Sequence, residues 1–103
     1  LSIQLSTTPI NIIELYKGAF KSSKPDENIE KIKSCISLLT VLEFNEKCYL
    51  QFGKLYSELE KKGMATNEFD LIIASLCISN NCVLITKNKR HFQNISGLMV
   101  ETW

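Results

Sequence analysis

No stretch of this sequence reaches the run of about 18 apolar residues that a membrane-spanning helix needs, so such a helix is not expected. The four glycines are scattered, and no glycine-rich loop exists to cradle a phosphate chain. His91 is the only histidine. With no serine or cysteine at a recognisable spacing from it, a nucleophilic triad has little support, and His91 reads as a loop or packing residue. An excess of one charge is missing too. Twelve Lys and Arg stand against 11 Asp and Glu, in both halves of the chain alike, so any contact with nucleic acid has to come from a local patch. Cys35, Cys48, Cys77 and Cys82 form no C-x-x-C pair. They read as buried free thiols rather than as a zinc or disulfide framework, which points to a reducing compartment, the cytoplasm.

What is there fits one small soluble domain. The 103 residues are 45% hydrophobic and 22% charged, enough for a real core. No repeat, low-complexity tract or linker divides them, so a single domain over residues 1–103 is expected. The chain opens on Leu1 without an initiator methionine or a signal-peptide pattern, and is expected to be a piece of something longer.

Periodicity places the elements. Leu1, Ile3 and Leu5 alternate with polar residues as a half-buried strand does. Thr8-Pro9 opens a helix with Ile12, Tyr16, Ala19 and Phe20 as its apolar stripe. Pro25-Asp26 opens a second, with Ile29, Ile32, Ile36 and Leu39 turned inward. Val41 to Phe44 reads as a short strand. Asn45 caps a third helix with Cys48, Phe52, Leu55 and Leu59 in its stripe, and Lys61-Lys62-Gly63 ends it. Thr66 or Asn67 caps a fourth, which is apolar on nearly all sides and must therefore be buried. Asn80-Asn81 makes a turn, Val83 to Ile85 a buried strand, and Leu98 to Val100 a closing strand. Helices and strands alternating in this way predict an α/β fold with a largely parallel sheet.

In a parallel sheet, helix N-termini and strand C-termini share an edge. Glu14 follows the first strand, Asp70 lies in the first turn of the buried helix, and Asn88 stands just beyond Val83 to Ile85. All three are expected on one rim, where two carboxylates and an amide oxygen suit Mg²⁺ or Mn²⁺. Each residue has a plainer reading as well. Asp70 could serve only as a helix-start acid, and Glu14 as a solvated partner of Lys17 or Lys21. Gly18, one turn after Glu14, costs a helix about 1 kcal/mol relative to Ala, and leaves room either for a ligand or for a packing contact. In LITKNKRHF, residues 84 to 92, Asn88 can help hold a metal or its water while Lys87, Lys89 and Arg90 meet phosphates. The same segment also reads as a solvated loop.

Five segments together resemble a known family. INIIELYKGAF (10–20), VLEFNEKC (41–48), GMATNEFDLIIAS (63–75), LITKNKRHF and ISGLMVETW occur in the order and spacing of PIN domains, and among these look like the VapC-type toxin ribonucleases. The resemblance implies a PIN-like three-layer fold with a central, mostly parallel sheet flanked by helices, lacking the family's first strand and the Asp that ends it. It implies a Mg²⁺ or Mn²⁺ dependent endoribonuclease in which Glu14 and Asp70 hold the metal. Asn88 is the third catalytic-site residue, and Thr86, Lys87, Lys89 and Arg90 contact RNA. An antitoxin protein is an expected partner, and pairing into a homodimer is expected. A PIN module that no longer cleaves, and serves to bind RNA or protein, is the alternative.

Overall fold

Thr8 and Pro9 decide where the first helix starts. The structure, a computed structural model, describes residues 5–64 and 66–102. In it the Thr8 hydroxyl accepts from Asn11 N–H at 3.2 Å, and Pro9, which has no N–H to satisfy, occupies the first helical position. The described residues fall into two compact units, Leu1–Glu43 and Phe44–Trp103. Each has its own strand pair and its own pair of packed helices.

The first unit runs β1 (Ser6–Thr7), α1 (Pro9–Lys21), α2 (Pro25–Ile36) and β2 (Thr40–Val41). β1 and β2 are parallel, Ser6 opposite Thr40 and Thr7 opposite Val41, joined by Thr40 N–H to Leu5 C=O (3.0 Å) and Leu42 N–H to Thr7 C=O (2.8 Å). Of the expected first strand, Leu1 to Gln4 lie outside the described residues, and Leu5 is exposed. The second expected strand starts earlier and is shorter than Val41 to Phe44. Ala19 is buried as the stripe on α1 requires, but Phe20 is exposed, since a stripe one residue too wide carries its edge into solvent.

The second unit holds α3 (Glu46–Lys61), α4 (Glu68–Ser79), β3 (Leu84–Ile85), a 3-10 turn (Lys89–Phe92) and β4 (Val100–Glu101). Asn45 caps α3, its side chain accepting from Cys48 N–H at 3.1 Å. Both long helices end in the same way. Gly63 (φ 66°) and Asn81 (φ 55°) take the left-handed conformation. Met64 N–H then reaches Leu59 C=O at 2.9 Å, and Cys82 N–H reaches Cys77 C=O at 2.8 Å, the paired closure that satisfies otherwise orphaned helix carbonyls.

α4 is buried on almost every side. Leu71, Ile73, Ala74, Ser75, Leu76 and Cys77 are all buried, and the Ser75 hydroxyl is satisfied by the Leu71 carbonyl at 2.7 Å. Around Leu71 and Ala74 gather Leu55 and Leu59 of α3 with Phe92 and Ile95, and Leu84, Leu98 and Val100 pack against that cluster. β3 and β4 pair in parallel, Leu84 opposite Val100 and Ile85 opposite Glu101. The expected buried strand Val83 to Ile85 is not buried. Leu84 is half-buried, and Val83 and Ile85 are exposed, because a two-stranded sheet leaves one edge of each strand unpaired and covers few of its side chains. The closing strand likewise shifts from Leu98–Val100 to Val100–Glu101. Among the described residues no helix is long and apolar enough to cross a membrane.

All four cysteines are free thiols, with Cys48 and Cys77 buried, Cys82 half-buried and Cys35 exposed. The last corrects the expectation of inward-facing thiols, because Cys35 falls between the Ile32 and Ile36 positions of the α2 stripe, on the side turned to water. Burial, with a smaller contribution from Cys82, pushes the Cys77 thiol up to about 11.

These packing relations set three expected outcomes. Leu71→Ala should lower unfolding free energy by about 2–5 kcal/mol in urea denaturation, since a fully packed leucine is removed. Gly18→Ala should raise it by roughly 0.5–1 kcal/mol, because a Cβ there meets nothing within 4 Å. Below about pH 8.5 the raised Cys77 pKa leaves stability unaffected. From there to about pH 11 the unfolded chain has released a proton that the folded chain retains, so stability falls as pH rises. Comparison with Cys77→Ala, which lacks that component of the fall, isolates it.

Candidate functional site

Two neighbouring pairs in the sequence explain how a charged residue and the lone histidine meet. Leu71 and Phe92 belong to one buried cluster, and each has a polar neighbour on its N-terminal side, Asp70 and His91. Packing the 3-10 turn against the start of α4 through Phe92 therefore brings the two polar side chains to the margin of that core. His91 Nδ1 lies 3.8 Å from Asp70 Oδ2, with the histidine side chain 60% exposed and the aspartate 26%. That separation is too long for a hydrogen bond. Sequence reasoning gave His91 no role beyond loop or packing. The available signal was its spacing of three from Asn88, one turn of 3-10 helix, directly before an apolar anchor.

Asp70 is not the cap of its helix. Asn67 is the cap, and its side-chain oxygen accepts from Phe69 N–H at 2.8 Å and from Asp70 N–H at 3.3 Å. The Asp70 carboxylate receives no hydrogen bond from the described residues, and its one close polar neighbour is His91. It still benefits from the helix N-terminus, where aligned peptide dipoles favour negative charge. At 26% exposed the carboxylate keeps a face open to solvent, and through it to a ligand.

Asn88 follows β3 by way of Thr86. Its N–H donates to the Thr86 hydroxyl at 3.1 Å, and Thr86 N–H donates to Glu101 C=O at 3.0 Å, so the turn is tied to the end of the strand pair. Asn88 C=O accepts from His91 N–H at 2.9 Å. The Asn88 side chain makes no capping bond to the turn it precedes, which leaves its amide available beside Lys89 and Arg90, both exposed. Thus Asp70, His91 and the Thr86 to Arg90 segment are joined in one unit through α4 and the turn.

Glu14 belongs to the first unit, in the second turn of α1. It is exposed and makes no ion pair among the described residues, so the pairing with Lys17 or Lys21 is not formed. Gly18, one turn on, has open space where a side chain would be, with no packing contact there among the described residues.

The donor chemistry tests whether a divalent cation is suited here. Among the described residues no three His, Cys, Asp or Glu side chains gather as a ready-made cage. One carboxylate without a donor, beside an imidazole, suits a cation that keeps most of its waters and takes one or two protein ligands. A separate open cleft, of about 350 Å³, lies at the α3–α4 connection between Tyr56, Glu60, Met64 and Glu68. None of the candidate site residues lines it.

Known proteins resemble this chain along nearly its whole length. The family model described as PIN domain matches residues 2–98. Ribonuclease VapC2 of Rickettsia felis is 36% identical over 99 residues, which is 96% of this chain and 74% of that protein. The tRNA(fMet)-specific endonuclease VapC of Salmonella typhimurium is 32% identical over 100 residues, 97% of this chain and 76% of its own length. Among solved structures, VapBC-1 from nontypeable Haemophilus influenzae superposes with a TM-score of 0.90 at 37% identity, covering 97% of this chain and 75% of that one.

With the cap assigned to Asn67, the two polar positions at the start of α4 separate by substitution. Asn67→Ala should cost about 1 kcal/mol in chemical denaturation. Asp70→Asn should cost no more than about 1 kcal/mol, the worth of a negative charge at a helix N-terminus.

Proposed function

We propose that this chain, which belongs to the PIN-domain family, is a VapC-type endoribonuclease that hydrolyses RNA phosphodiester bonds at a site for Mg²⁺ or Mn²⁺. The observation that carries the reading is the Asp70 carboxylate. It stands at the N-terminus of a buried helix, relieved of capping by Asn67 and left without a donor. In this reading Asp70 holds the metal, and Glu14 of α1 is assigned the same role by resemblance to the family. When bound, the cation would lower the pKa of a coordinated water and offset charge developing on the phosphate oxygens.

The remaining work falls to the chain itself. Asn88, held at the strand end by Thr86, offers an amide that can orient a water or a phosphate oxygen. Arg90 can meet a phosphate with two parallel N–H groups and Lys89 as a point charge. Such contacts position RNA without reading its sequence. Lys87 extends the same basic segment, and the hydroxyl of Thr86 shapes its backbone. A small antitoxin is the proposed protein partner, supported by the VapBC complexes that the chain superposes on. A homodimer and a cytoplasmic setting complete the proposal, the latter in keeping with four free thiols.

The primary test is calorimetric titration of Mn²⁺ into the chain and into Asp70→Asn, alongside cleavage of a tRNA pool. Saturable binding and cleavage should both disappear in the variant while the fold is retained. A variant that binds Mn²⁺ as tightly as the parent would sink the metal-site reading. For the basic segment, replacing Lys89 and Arg90 together by Ala should reduce the slope of log affinity for RNA against log salt by roughly 0.7 for each phosphate no longer neutralised. An unchanged slope would return the segment to an ordinary solvated turn.

A further inference from the structure

We propose that Cys77 and Cys82 form a reversible disulfide, a modification site that locks the C-terminal cap of α4 in the folded chain. Ribonuclease activity is not needed for it. Three observations carry it. First, α4 closes with Cys82 N–H on Cys77 C=O at 2.8 Å and Asn81 N–H on Ile78 C=O at 3.1 Å, Asn81 being left-handed at φ 55°. The two cysteines are thus the first and last residues of the paired closure. With that 2.8 Å contact, standard bond lengths hold their Cα atoms within about 6.7 Å of one another, inside the span of up to about 6.8 Å that a disulfide bridges. Second, this closure commonly brings the side chains of its first and last residues into apolar contact. At the end of α3 the same two positions hold Leu59 and Met64, and at the end of α4 they hold two thiols. Their nearness is felt electrostatically as well, since Cys82 contributes to the raised pKa of Cys77. Third, the pair is graded in access. Cys82 is half-buried, its thiol donating to Asn80 C=O at 3.5 Å, whereas Cys77 is 4% exposed.

That gradient sets the order of the chemistry, with a low-molecular-weight disulfide as the oxidant. Cys82, the accessible thiol, loses its proton and attacks one sulfur of the small disulfide, whose S–S bond breaks. A mixed disulfide forms on Cys82, and the expelled thiolate takes up a proton. Cys77 then gives up its own proton and attacks Cys82 Sγ, the Cys77–Cys82 bond forms, and the second small thiol leaves protonated. Two protein thiols have been oxidised and one small disulfide reduced to two thiols, with no net change in protons. The product joins residues that the backbone closure already holds together, so the native cap is kept. Reversible bonds of this kind are the ones a reducing compartment permits.

The chain supplies a clean test, because no Lys or Arg lies between Gly63 and Thr86, and trypsin releases both cysteines on one peptide, residues 63–87. Cys35 and Cys48 fall on two others. Folded protein would be equilibrated with oxidised and reduced glutathione, quenched in acid, alkylated, digested and weighed by mass spectrometry, for the parent, Cys82→Ser and Cys77→Ala. Thermal melts of the oxidised and reduced forms would run in parallel. In the parent, peptide 63–87 should be recovered unalkylated and lighter by two hydrogen atoms. That form should exceed the one carrying glutathione by about tenfold, since a thiol held in place outcompetes one in solution. Oxidation should raise Tm by roughly 5 °C, and dithiothreitol should reverse the rise. In Cys77→Ala, glutathione should stay on Cys82, and neither variant should gain Tm. Glutathione remaining on Cys82 of the parent, a bond to Cys35 or Cys48 instead, or thiols that stay fully alkylatable would each overturn the proposal. So would a lower Tm in the oxidised parent, because the bond would then form only where the cap has opened.

Discussion

Helix α4 can exist only if it is covered. From Leu71 to Cys77 only Ile72 escapes full burial, so no orientation of the isolated helix would keep its apolar surface out of water. α3, the anchor Phe92 and Ile95 form a common cluster with it, and the polar residues of interest sit at its N-terminal end, where the apolar run stops. The placement of Asp70 is therefore a by-product of core formation. A residue at the end of a well-packed helix is held more firmly than one on a free loop, which is what a binding site asks of its scaffold.

The start of that helix shows a division of labour that pattern alone could not resolve. A carboxylate three residues after an Asn cap commonly reaches back to complete the cap. Here the Asn67 oxygen takes both nearby N–H groups, and the aspartate faces the only imidazole in the chain. Had Asp70 been satisfied by backbone donors, its role would have ended with the helix. Without a backbone donor, and backed by a helix dipole, it is a carboxylate held at the margin of the core with part of its surface open.

The strand pairs fit the same logic. In each unit two parallel strands are hydrogen-bonded, and parallel strands need a crossover that returns the chain to the same end. In the first unit the chain passes straight from β1 to Thr8, the cap of α1, and in the second from β3 to Thr86 and Asn88. At these junctions the Thr8 and Thr86 hydroxyls are taken up in closing the turns, and the exposed side chains that follow them, at the carboxyl edge of the parallel strands, are those of Asn88, Lys89 and Arg90. The exposed Val41, Val83 and Ile85 are apolar residues on or beside strands with an unpaired edge, and their composition suits a more fully covered sheet than two strands provide.

Local rules were sufficient for the helices. Thr8-Pro9, Asn45 and Asn67 open them and Gly63 and Asn81 close them as their side chains and backbone freedom require, and the all-apolar pattern of α4 announced its burial. The family resemblance, carried by five ordered segments, was legible too, and with it the candidates Glu14, Asp70 and Asn88. The strands were placed less well, because two paired residues leave no periodicity to read and their limits depend on partners distant in the chain. Phe20 was misplaced because a stripe drawn at 100° per residue does not say how wide the neighbouring helix is, and Cys35 because residue type was read without its place off the α2 stripe. His91 stands on an exposed turn, as expected of a loop residue, but its nearness to Asp70 was not legible. Nothing close to it in the chain reveals a carboxylate, since Asp70 lies 21 positions earlier in the sequence. The sequence by itself determined which helices form and which acids stand at their starts, because capping and periodicity are local. Only tertiary structure decided that Asp70 is left unsatisfied and that His91 faces it, because both follow from Phe92 and Leu71 packing into one core.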